Sequence, residues 1–301
     1  MSFLPIAVIA YGFNAGAIII DKILLQKALK HPLSYTFFIN VLQLLVLFLV
    51  PFGFKLEINR FFYLAVLSGL TWVLATYTMF VALKKNEVSA VGAVVGTFNP
   101  LFALILGSLF LGQLLSPNQY LAFSILLLGT AVFTINLWLG KLKFNSQLLG
   151  MILSGFVFGL SYVLLREAFL GTNFITGLII RGVSAGVLAL SLLIVPQFRK
   201  LILTSSEGSR GITSKVTLIL MGTGQTMGAA SGLMIAYGVS LASPALVNSL
   251  FGVQYLVILV VSLILLKKHP HLLGENLTKD AILQKISGAG IISLGLYLLA
   301  R

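Results

Sequence analysis

The sequence contains no cysteine and only three histidines in 301 residues. The first absence excludes a disulfide framework, a thiolate metal site and a thiol redox motif; the second leaves His31, His269 and His271, all in expected connections and none at metal-ligand spacing. Charge is scarce as well, 9% of residues against the roughly 25% of soluble domains. The net charge of +13 is spread one or two residues at a time through short connections, so no basic stripe is available for nucleic acid. Neither a phosphate-binding G-x-x-x-x-G-K-S/T loop nor H-E-x-x-H occurs. The pattern G-x-S-x-G does occur, as GVSAG (Gly182 to Gly186), but within an apolar run and not at a strand-to-helix turn, so it is not read as a nucleophile elbow. ATP-driven work and zinc hydrolysis are therefore not expected, and no enzyme activity, metal or cofactor is read from the chain.

What is abundant is apolar: 58% of the residues, with a mean hydropathy of +1.07. Runs of about twenty residues such as those around VLQLLVLFLV recur along the whole length, each long enough to cross a hydrocarbon layer of about 30 Å as a helix. A β-barrel would alternate apolar and polar residues instead. The expected fold is all-α and membrane-embedded, with spans near 3–24, 33–52, 61–83, 88–111, 119–139, 147–168, 174–195, 216–238, 243–266 and 282–300. The opening segment has no basic n-region or small-residue cleavage site and reads as the first of these spans. Only 197–215 and 267–281 are longer connections, so the chemistry belongs inside the bundle.

The punctuation repeats. LGQLLSPNQYL (Leu111 to Leu121) follows the fourth span and LGENLTKDAIL (Leu273 to Leu283) follows the ninth. GFNAG (Gly12 to Gly16) and GFVFG (Gly155 to Gly159) sit in the first and sixth, each a small-xxx-small pair that lets helices approach. A gapless match also carries Ala82 and Ser89 onto Ala236 and Ser243. These point to two five-helix halves, 1–144 and 145–301, in one membrane domain. An odd number of spans per half forces opposite insertion, the inverted repeat of many secondary transporters.

On those residues the chain resembles the EamA-like branch of the drug/metabolite transporter superfamily. The end-of-helix signature stands here as Gly112, Gln113, Leu115 and Ser116, and again as Gly274, Glu275, Leu277 and Thr278. Gln113 replaces the usual acid, and the ninth-to-tenth connection carries extra residues from Lys267 to His271. The resemblance implies ten helices, a central cavity lined mainly by the third, fourth, eighth and ninth, cytoplasmic termini, and export or exchange of small organic solutes. Loop charge argues otherwise on orientation: thirteen Lys/Arg fall in odd-numbered connections and four in even-numbered ones and the tails, which puts both termini outside an inner membrane.

Candidate site residues follow from polarity inside spans. Arg181, in IIRGVSAG of the seventh, suits a carboxylate or phosphate if it faces the cavity, or else it snorkels or pairs within the bundle. Asp21 either couples transport to protons or is an interfacial acid paired with Lys22 or Lys27. Asn248, Gly252 and Tyr255 share a helical face, with Phe251 beside them. Gly92, Gly96, Asn99 and Ala103 form a small-residue stripe that Pro100 interrupts. Gln225 lines up with Gly228, Ala229 and Gly232, and Trp72, Tyr77, Asn14 and Asn40 complete the set. For any single one of them, helix packing is the competing role. The function expected is a secondary transporter, an exporter of small metabolites such as amino acids, acting as a monomer or weak homodimer. A carrier of phosphorylated or nucleotide-linked solutes and a non-transporting receptor or structural protein are the alternatives.

Overall fold

The structure, a computed structural model, describes residues 3–27, 31–86, 88–112, 114–134, 146–207, 215–265 and 278–300. Every regular element among them is helical: α1 (Phe3–Lys27), α2 (Pro32–Leu42) continuing as a 3₁₀ segment (Gln43–Phe52), α3 (Arg60–Lys85), α4 (Val88–Leu111), α5 (Pro117–Thr134), α6 (Ser146–Gly171), α7 (Phe174–Ser191), α8 (Pro196–Glu207), α9 (Lys215–Leu241), α10 (Pro244–Ser249), α11 (Phe251–Leu265) and α12 (Lys279–Ala300). Among the described residues seven helical stretches are long and apolar enough to cross a membrane: Phe3–Leu25, Pro32–Phe52, Arg60–Lys85, Val94–Leu111, Gln147–Gly171, Phe174–Ile194 and Leu218–Leu241. Shorter apolar stretches run from Pro244 to Ile258 and from Ile282 to Leu298. Seven of the expected spans coincide with the long stretches; 243–266 and 282–300 meet only the shorter ones, and 119–139 meets α5 and runs on past the described residues. The long seventh-to-eighth connection holds an extra element, α8.

Local chemistry sets the helix ends. The Asn59 side chain accepts from the amides of Phe61 and Phe62, and that of Asn173 from Thr176, so two otherwise orphaned helix starts are satisfied. Pro32 and Pro244 sit in first turns, where a missing N–H costs nothing. The Leu-Gly-Gln signature has a direct physical meaning. Gly112 takes φ +59°, a left-handed stop for α4. Ser116 then caps α5, its Oγ accepting from Gln119 N at 3.3 Å while Gln119 Oε1 accepts from Ser116 N at 3.0 Å, a reciprocal capping box. Gln113 lies outside the described residues, as do Gly274, Glu275 and Leu277.

Packing follows small residues. A Cβ on Gly155 would lie 2.8 Å from Phe98 Cβ, and one on Gly159 2.9 Å from the Asn99 carbonyl oxygen, so this pair is what brings α6 onto α4. Of the GFNAG pair only Gly16 plays that part, against Met227 of α9; Gly12 has open space. The principal helix pairs are α5 with α12, α3 with α6 and α7, α4 with α6, and α1 with α9. Ser68 and Ser161 tie α3 to α6 reciprocally, each hydroxyl donating to the other's carbonyl at 2.8 Å. Outside, Phe48, Leu109 and Ile194 are 75%, 74% and 80% exposed, a surface suited to lipid rather than water.

Candidate functional site

Two polar and aromatic groups lie in the interior. The first centres on Arg181, the eighth residue of the 174–194 stretch and so about 10 Å along it. Arg181 is 5% exposed. Its guanidinium carbon stands 4.1 Å from the centroid of the Trp72 ring on α3 and 5.5 Å from that of Tyr162 on α6. Trp72 is held edge-on by Phe158 and Tyr162, at 5.2 and 5.8 Å between centroids. The charge rests on the negative faces of aromatic rings. Among the described residues the one salt bridge is Arg60 with Glu167, so no acid neutralises Arg181. Its Nε and Nη2, with Trp72 Nε1, are buried donors without a hydrogen-bond acceptor. The side chain is thus held inward against the rings.

The second group joins α1, α4, α10 and α11. Tyr11 donates to Asn248 Oδ1 at 3.3 Å, and Asn248 Nδ2 donates to Asn99 Oδ1 at 3.1 Å, all within buried surroundings. Phe251 packs 5.3 Å from Tyr11 and 5.8 Å from Tyr255. The stripe on α4 receives these rings: a Cβ on Gly92 would fall 2.2 Å from the Tyr255 hydroxyl, and one on Gly96 2.7 Å from Phe251 Cδ1. Pro100, one turn on, leaves the Gly96 carbonyl without its helical N–H partner. Tyr11, Tyr162, Phe158, Phe251 and Tyr255 belong to one buried cluster, so the two groups share a continuous core.

The remaining candidates sit around this axis. Asn14 donates to Gln254 Oε1 at 2.6 Å. Asn40 donates to Thr76 Oγ1 at 3.1 Å and accepts from Gln43 at 2.9 Å, joining α2 to α3. Tyr77 is half-buried on α3, five residues and about 140° round the helix from Trp72, so the two do not share a face. Gln225 is half-buried on α9, whose neighbours Gly224 and Met227 pack against Ile20 and Gly16 of α1. It joins neither group. Asp21 differs from expectation in its partner: the Tyr35 hydroxyl donates to it, whereas the Lys22 ammonium donates to the carbonyls of Leu83 and Asn86, both at 2.7 Å. Those carbonyls end α3, where the helix dipole favours a cation. The Lys27 side chain lies outside the described residues.

Gly252 departs from the expected face. A Cβ there would meet Thr130 Oγ1 at 2.9 Å and Ile292 at 3.2 Å, towards α5 and α12. The reason is the break between α10 and α11. Leu250 N bonds Val247 O and Val253 N bonds Leu250 O, both three-residue steps that overwind the chain and change the register between Asn248 and Gly252.

Sequence reasoning missed Tyr11, Phe158, Tyr162 and Gln254. Tyr11 directly precedes the GFNAG pair and Tyr162 follows GFVFG by three residues, so polar-tipped aromatics beside small-residue pairs were the available signal.

No family model and no curated protein matches the chain. Among solved structures, one described only as the crystal structure of a protein is similar at a TM-score of 0.60, with 16% sequence identity over 97% of this chain and 97% of that one. At that identity the likeness extends to the fold.

Proposed function

We propose that the chain is a secondary transporter of small organic metabolites such as amino acids, an exporter of ten spans in two inverted halves, as the EamA-like resemblance implies. The observation that carries this reading is the pattern of helix contacts. Exchanging the halves turns the α3–α6 pair into α9–α1 and the α4–α6 pair into α11–α1, and both members of each exist. The α5–α12 pair maps onto itself. The largest contact without a counterpart is that of α3 along α7, since α9 makes no comparable contact with α2 among the described residues. A related pair of seams, one shut and one apart, is what alternating access requires of inverted halves. The buried polar residues Arg181, Tyr162, Tyr11, Asn248 and Asn99 supply groups for a solute.

A phosphorylated solute is less well served, since Arg181 has no second cation beside it in either group. Loop charge favours termini outside, a reading that a C-terminal tag found on the cytoplasmic side of intact cells would overturn. Purified protein in liposomes, offered labelled amino acids and related metabolites with and without a pH gradient, tests the transport reading. Saturable flux of at least one solute is expected. Correctly folded protein that moves none of them rejects it in favour of a receptor or structural role. Dependence of the flux on the pH gradient, lost in Asp21→Asn, is the expected sign that the Asp21–Tyr35 pair carries a coupling proton.

A further inference from the structure

The two orphaned nitrogens of Arg181 are not an arbitrary pair. In a guanidinium the Nε and Nη2 hydrogens point the same way, from one edge of the plane, and their spacing matches the two oxygens of a carboxylate. In this structure that edge is the part left without acceptors, in a side chain 5% exposed and without a counter-ion among the described residues. Beside it, Trp72 offers a third donor without an acceptor, its ring 4.1 Å from the guanidinium carbon. Two guanidinium N–H groups and the nearby Trp72 N–H are thus buried without an acceptor, and the neutral Tyr162 hydroxyl, the other polar neighbour of Arg181, leaves its charge without a described acid. Leaving such groups unmatched inside a membrane protein is costly.

We infer that Arg181 is the anchor for a carboxylate of the solute, bound side-on through Nε and Nη2, with Trp72 Nε1 as an additional donor. The ring faces of Trp72 and Tyr162 fix the plane of the guanidinium, and Phe158 fixes Trp72, so the fork is oriented before a solute arrives. A single cation matches a single negative charge, which selects a monocarboxylate over a phosphate dianion. The aromatic walls favour an apolar or amino-acid-like remainder. The inference deepens the transporter reading by naming its substrate class, and in that sense rests on it; binding itself does not depend on turnover.

Trp72 reports on its own site, because the chain has two tryptophans and Trp138→Phe leaves one indole. In that background the probes are matched pairs, leucine with leucinamide, 4-methylpentanoate with its amide, and benzoate with benzamide, together with phenyl phosphate. An acid is expected to change Trp72 emission saturably and to bind about 30-fold or more tightly than its amide, the loss that follows from leaving one partner of a buried charge pair alone. Arg181→Gln should remove that preference while the protein keeps its helical circular dichroism, and Arg181→Lys, which keeps the charge without the fork, should restore only part of it. Equal response to acid and amide across the pairs overturns the inference with no variant needed. So does an acid preference that survives Arg181→Gln, or tighter binding of phenyl phosphate than of benzoate. Acid-selective binding without flux in liposomes would sink the transport reading and leave the carboxylate site standing. Flux of solutes lacking an acid, unchanged in Arg181→Gln, would do the reverse.

Discussion

The faces of α3 and α9 that the internal match makes equivalent have opposite surroundings. Carried by the offset that takes Ala82 onto Ala236, Ser68, Gly69 and Trp72 correspond to Gly222, Thr223 and Thr226. The first three are buried or half-buried, with Gly69 so close to α7 that a Cβ would lie 2.3 Å from the Arg181 carbonyl oxygen. The second three are exposed, flanked by Leu218 and Ile219 at 56% and 66%. Matched positions thus meet a packed helix on α3 and open surroundings on α9. On the proposed two-half reading the difference lies in how the halves are arranged around each other, and substitutions that widen or close one seam alone can test it.

The largest effect is expected from a wedge in the shut seam. Gly69→Val puts methyl groups where backbone already stands, so α3 and α7 must separate. It should destabilise the protein by about 1–3 kcal/mol, abolish flux, and raise the access of a water-soluble quencher to Trp72. Unchanged quenching with normal flux would show that this seam does not move. A wedge on the other side, Thr223→Phe, is expected to leave thermal stability within about 0.5 kcal/mol, since it projects into open surroundings. Its flux should nonetheless fall about tenfold or more if that seam must close in each cycle. Full activity would end the equivalence.

A smaller change is expected at the buried polar axis. Asn248→Ala removes the acceptor of Tyr11 and the donor to Asn99 and should cost about 0.6–2 kcal/mol, read as a fall in melting temperature of protein in detergent. Its effect should be the same whichever wedge is present, because the axis serves both seams. The smallest effect concerns α2. His31 Nδ1 accepts from Leu33 N at 3.2 Å, and desolvation, with Lys84 nearby, holds its pKa below the ordinary histidine value of 6.5. The neutral cap is therefore fully present above about pH 6.5 and is lost as the pH falls through the lowered folded value. Hydrogen exchange at the start of α2 should quicken on that acid side, and His31→Asn, which caps at any of these pH values, should flatten the profile.

The apolar stretches and their ends could be read from the sequence because they rest on local chemistry. A run of about twenty apolar residues and a Gly followed by Ser-Pro-Asn-Gln dictate a span, a stop and a capped restart without reference to the rest of the chain. The partners within the site could not be read in this way. Arg181 stood out as a charge in an apolar segment, but the rings that hold it come from α3 and α6, and nothing local distinguishes Trp72 or Tyr162 from ordinary packing aromatics. Asp21 finds Tyr35 across a connection rather than its neighbour Lys22. The face proposed for Asn248 with Gly252 failed because two tightened turns intervene, and a uniform period of 3.6 residues has no means of anticipating them.

The 3₁₀ segment that continues α2 is ten residues long, well beyond the three or four at which this geometry is usually abandoned. Rising about 2.0 Å per residue where an α-helix rises about 1.5 Å, it is longer by about 5 Å than the same residues wound as α. Rewinding would also turn its far end by about 200°, since each residue advances about 120° in one form and 100° in the other. Nearly half of this membrane-crossing stretch is thus a drawn spring. It lies on the helix that the open seam would have to engage, and contracting it would pull and rotate the end that carries Pro51 and Gly53.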